Sequence, residues 1–121
     1  MRLLILLITA SVVGLSTAVL AEGLTPEVRS KLYVVGMGAG ARCFLKRGEI
    51  KDQKMMEEIL VYSLKKRNLF HLRGWMTTEN AQMAIRLIES FQTTDCLVDK
   101  RKAEEAGVDE ALIRLILDKG Q

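Results

Sequence analysis

Two cysteines, a single histidine and a glycine-rich run are the residues of this 121-residue sequence whose types and spacing could do chemistry. The run is Gly36-Met37-Gly38-Ala39-Gly40-Ala41, inside "LYVVGMGAGAR". Gly36, Gly38 and Ala41 satisfy the permissive G-x-G-x-x-G/A spacing of dinucleotide-binding turns. That chemistry needs a strand before the turn, a helix N-terminus facing the pyrophosphate, and a second strand bearing an acid about 20 residues on. Here Val28, Leu32, Val35, Ala39 and Cys43 recur at helical steps straight through the glycines, and residues 56–60 read as mid-helix. Nucleotide binding is therefore rejected, and no cofactor is expected. The other use of such glycines is packing. Gly36 and Gly40 stand one turn apart and let a second helix, or another subunit, approach closely. Glycine in a helix costs roughly 1 kcal/mol relative to alanine, so close contact at these positions is expected to offset it.

Cys43 could form a thiol–imidazole pair with His71, but no third group that would orient the pair suggests itself. Zinc needs about four ligands, and the chain has at most three soft ones. An even cysteine count in an exported chain is read first as a disulfide, here Cys43–Cys96. Bridging positions 53 apart removes roughly 4 kcal/mol of unfolded-state entropy on the chain-closure model. The carboxylate doublets Glu57-Glu58 and Glu104-Glu105 diverge by about 100° on a helix and make no acid/base pair. No catalytic or metal-ligating set emerges, and the expectation is a protein that is not an enzyme.

The densest basic stretch is "KKRNLFHLR", residues 65 to 73. Lys65, Lys66, Arg67, Phe70 and Arg73 are its candidate contacts with an acidic partner or an anionic membrane surface. The alternative is a helix C-terminus with ordinary cation enrichment. "KRKAEEAG", from Lys100, offers i,i+4 pairs Lys100–Glu104 and Arg101–Glu105 and reads as a solvated face.

The elements that must position these residues are helices. Thr25-Pro26-Glu27 combines a hydroxyl cap, proline at the first helical position and a carboxylate at the positive helix end. The stripe Val28, Leu32, Val35, Ala39, Cys43 follows, and Gly48 stops it. A second helix runs from about Asp52 to Arg67, with Met56, Ile59, Leu60 and Ser63 inward and Met55, Tyr62 and Leu64 flanking; Asn68 takes the left-handed cap. After Gly74, Thr77 or Thr78 caps a third helix to about Thr93 with Ala81, Ala84, Ile85, Ile88 and Phe91 inward. A short piece over about 98–106 ends at Gly107. Asp109 then caps a last helix that packs Leu112, Leu115 and Ile116 and ends at Gly120. The fold class is all-α, a compact bundle of four to five helices with one disulfide.

The first 21 residues stand apart. After Met1-Arg2 no charge occurs until Glu22, and small Ala21 follows Val19 by two, the pattern of a secretory signal peptide. Cleavage is expected after Ala21, with Ala18 as the alternative site. The competing reading is an uncleaved inner-membrane anchor through residues 3–21, whose 19 residues are just long enough to span a bilayer. The domain is then 22–121, exported to the periplasm or outside the cell. Losing Arg2 leaves 17 Lys+Arg against 15 Asp+Glu. Residues 42–73 carry nine basic and four acidic side chains and 74–121 carry six and nine, so the charge is a mild dipole. With export, this argues against a nucleic-acid partner.

The glycine-bearing helix, "CFLKRG" from Cys43, "ILVYSLKKRN", "AQMAIRLIESF" and then Cys96 together resemble the small exported immunity proteins that block cell-wall amidase effectors of type VI secretion. The resemblance covers about residues 32–96 and is mainly topological. It implies occlusion of a toxin's active site through surface loops. Phe44 stands where that family usually has a proline after the first cysteine, and no inhibitory residue is carried over. Exported acid-stress chaperones share the small size, helices and single disulfide. "YVVGMGAGARC" also resembles uncharacterised small exported cyanobacterial proteins, which implies no function. The expected function is non-enzymatic binding of an extracytoplasmic protein, as an inhibitor or immunity factor. The alternative is an envelope stress chaperone or membrane-associated structural factor.

Overall fold

The computed structural model describes residues 24–118. The expected signal peptide and the expected stop at Gly120 lie outside them. Among the described residues, five α-helices follow in order: α1 Pro26–Lys46, α2 Gln53–Lys66, α3 Glu79–Glu89, α4 Lys100–Glu105 and α5 Val108–Leu117. Two single 3-10 turns, Phe70–Leu72 and Trp75–Thr77, join α2 to α3. Among the described residues there is no strand, only a single antiparallel bridge between Gln92 and Val98. The architecture is an all-α bundle with one disulfide.

Local chemistry sets most boundaries. Thr25 Oγ1 accepts from the Val28 amide at 3.2 Å, with Pro26 at the first helical position. Gly48 ends α1 at φ +81, a conformation that costs a glycine nothing. The amides of Glu49 and Ile50 then turn back to the Phe44 carbonyl, and Ile50 is buried. Asp52 Oδ1 caps α2 through the Met55 amide at 2.8 Å. Asn68 leaves α2 in the left-handed region, as expected, at φ +58. Thr78 caps α3. The linking turns each anchor one apolar residue, Leu72 and Met76, in the core.

Helix α1 packs on α3, α2 and α5, while α3 packs on α5 and α4 on α5. The expected stripe proves too narrow a description. Every residue from Val34 to Ala41 is buried, Gly36, Gly38 and Gly40 included. Eight uncharged residues in succession leave no polar side to face water, and a helix apolar all round belongs inside. The close approach is resolved at Gly38. A Cβ there would lie 2.9 Å from Ile85 Cδ1 and 3.5 Å from Met76 Cε, so α3 and the second 3-10 turn come against α1 where it lacks a side chain.

Several boundaries differ from expectation. Helix α3 stops at Glu89, because the Phe91 and Gln92 amides tighten into i→i−3 bonds and the chain then folds into the Gln92–Val98 bridge. Phe91 is half-buried against the core. Helix α4 starts at Lys100, because Asp99 accepts from the Lys102 amide at 3.2 Å. Gly107, at φ +68, rather than Asp109, is the N-cap of α5. The chain reverses at that glycine and buries Val108 at once, which places Asp109 inside the first turn and buried. Leu64 is fully buried rather than flanking.

Gly38→Ala sets a methyl against the movable end of Ile85 but gains helix propensity, so its expected effect is within about 1 kcal/mol of zero. Gly38→Leu overpacks the same contact and is expected to destabilise by about 2–3 kcal/mol, read as urea midpoints of the two variants.

Candidate functional site

The sequence singled out two groups of residues, and the structure separates them. Cys43 and Cys96 are joined, with Cα atoms 5.7 Å apart, and no free cysteine remains among the described residues. No thiol is left there to pair with His71, whose Nε2 lies 3.5 Å from Glu27 Oε1 in an exposed contact. Around the disulfide, Arg42 and Lys46 both reach the Glu89 carboxylate, at 3.0 and 3.1 Å, and Arg47 donates to the Thr94 carbonyl at 3.0 Å. Covalent, ionic and backbone contacts thus tie the end of α1 to the segment after α3. Cys96 itself sits at φ +64, uncommon for a non-glycine residue, in the turn that the bridge closes. This end of the molecule is a clamp.

The other group forms the end of α2. Lys65, Lys66 and Arg67 occupy its last turn and C-cap, where exposed carbonyls favour cations. Each is set over an aromatic ring. Lys65 Nζ lies 5.1 Å from the Phe70 centroid, Lys66 Nζ 5.7 Å from Tyr62, and the Arg67 guanidinium carbon 5.2 Å from Tyr33. Lys31 lies over Trp75 at 5.1 Å. All four contacts fall between residues 31 and 75 and gather cations on aromatic faces there. Arg73, the fifth predicted contact, turns to Glu57 instead and ion-pairs with it.

Met55 and Tyr62 were missed as surface residues. They are 42% and 54% exposed, and Phe70 is 45% exposed. Their spacing carried the signal: Met55, Glu58, Tyr62 and Lys65 follow steps of three, four and three, which puts both apolar side chains on the charged face. An open depression runs along this face, and the described residues lining it, Gln53, Lys54, Glu57, Glu58, Val61, Tyr62 and Lys65, all come from α2. The inward face of α2 is Met56, Leu60, Ser63 and Leu64. Of the pairs expected in α4, Arg101–Glu105 forms at 3.3 Å. Lys100 and Glu104 both stay exposed on that six-residue helix and, among the described residues, form no ion pair.

Among the described residues no group of three or more His, Cys, Asp or Glu side chains could hold a metal ion. No helix there is long and apolar enough to cross a membrane. No protein-family model, no curated protein and no solved structure matches the chain.

The surface and the core of α2 separate by substitution. Leu64→Ala is expected to cost about 3 kcal/mol as a cavity in the core. Tyr62→Ala should cost about 0.5 kcal/mol or less, the scale of an exposed site. Chemical denaturation of the two variants checks both.

Proposed function

We propose that this protein is a non-enzymatic, exported helical domain that acts by binding another extracytoplasmic protein, as an inhibitor or immunity factor. The observation that carries the reading is the outer face of α2. Met55 and Tyr62 are exposed on a helix whose other face is locked into the core, Lys66 lies over Tyr62, and Lys65 lies over Phe70, exposed in the turn that follows. Tyrosine and arginine dominate the energetic centres of protein interfaces, because a rigid amphipathic group delivers contact area at low entropic cost. The disulfide supports export, since such bonds persist in oxidising compartments. The resemblance to immunity proteins supplies the inhibitory role.

The test is a photo-crosslinking amino acid placed at Tyr62 in the organism that encodes the protein, with Met83, exposed on α3, as the control position. One discrete protein adduct at position 62, absent at position 83, is the expected result. A smear of many protein adducts would instead favour the chaperone alternative, and lipid adducts the membrane-associated one. No adduct at all would remove the reading.

A further inference from the structure

We infer that the end of α2 receives an acidic segment of the partner protein, with carboxylates set against Lys65 and Lys66 and an apolar side chain against Tyr62 and Phe70. The inference rests on the proposed protein-binding role and names the chemistry of what is bound. It starts from what holds these cations. Like most Lys and Arg side chains among the described residues, Lys65, Lys66 and Arg67 have no carboxylate within ion-pair distance there. What sets them apart is that three cations in succession rest on ring faces. A ring face attracts a cation without neutralising it, so the positive charge still points outward. It also holds a long side chain in place, which lowers the entropy lost when a partner's carboxylate arrives.

The surrounding charge gives the segment a direction. Arg73 neutralises Glu57, but Glu58 is exposed on the same face as Tyr62. Seven residues of helix separate Glu58 from Lys65, about 10 Å, roughly one Debye length at physiological salt. An acidic segment therefore lies over the last turn of α2 and the Phe70 turn, and extends away from Glu58. The same glutamate disfavours an anionic bilayer, which would press the whole face of α2 against negative headgroups. Lipid docking also asks for a continuous apolar stripe, whereas Met55 and Tyr62 alternate with Glu58 and Lys65.

The experiment uses the full chain with the crosslinker at position 62 and compares three forms: wild type, Lys65→Gln/Lys66→Gln and Lys65→Arg/Lys66→Arg. The adduct site on the partner is mapped by mass spectrometry, and thermal midpoints confirm that the exposed substitutions leave the fold intact. The expected results are an adduct within a segment rich in Asp and Glu, a yield lowered about fivefold by the glutamines, the scale of two rim charge pairs, and recovery with the arginines. A protein adduct that maps to a neutral or basic segment, or whose yield ignores the glutamines, overturns the acidic-segment inference and leaves the protein-binding role standing. Lipid adducts, or none, overturn both.

Discussion

The structure depends on one helix that has no side facing water over its middle. From Val34 to Ala41, α1 is buried all round, so the elements packed on it cannot be removed singly without exposing apolar surface. Small residues make this arrangement possible. With Gly36, Gly38, Ala39, Gly40 and Ala41 in succession, the helix is thin enough there for neighbours to approach its backbone, and at Gly38 the Ile85 side chain occupies the space that a Cβ would need. The helix propensity lost at the glycines is offset by packing that a bulkier sequence could not achieve.

Burial of the centre leaves the two ends of α1 to different tasks. Near its C-terminus, the Cys43–Cys96 bridge, the Glu89 carboxylate shared by Arg42 and Lys46, and the Arg47 contact to Thr94 hold down a segment that has little regular structure of its own. About ten residues earlier, some 15 Å along the axis, Tyr33 lies beneath Arg67 at the end of α2. The clamp therefore does not occupy the aromatic and basic surface. Rigid scaffolding and an adaptable rim of long side chains is a division that suits the recognition role proposed for it.

Much of this was legible in the sequence, and for local reasons. Thr25, Asp52 and Thr78 sit where a short oxygen-bearing side chain can satisfy free helix amides, and Gly48 and Asn68 sit where the backbone must turn left-handed. The cysteine pair followed from chemistry and count. The inward side of α2 was legible too, in Met56, Leu60 and Ser63, although Leu64, read as flanking, is buried with them. Two features depended on tertiary context. Asp109 looked like a cap, yet the reversal at Gly107 had already begun the helix. The run from Val34 to Ala41 satisfied a stripe pattern, and only its lack of any charged residue hinted that every side was buried.

Native-state hydrogen exchange, followed residue by residue before and after reduction, tests the central claim most directly. The account predicts that the amides of Val34 to Ala41 are the slowest to exchange and open only with global unfolding. On reduction, residues 91–99 should lose protection while Val34 to Ala41 remain the slowest set. Exchange of Val34 to Ala41 by local opening, at rates like those of the exposed helix α4, would contradict it.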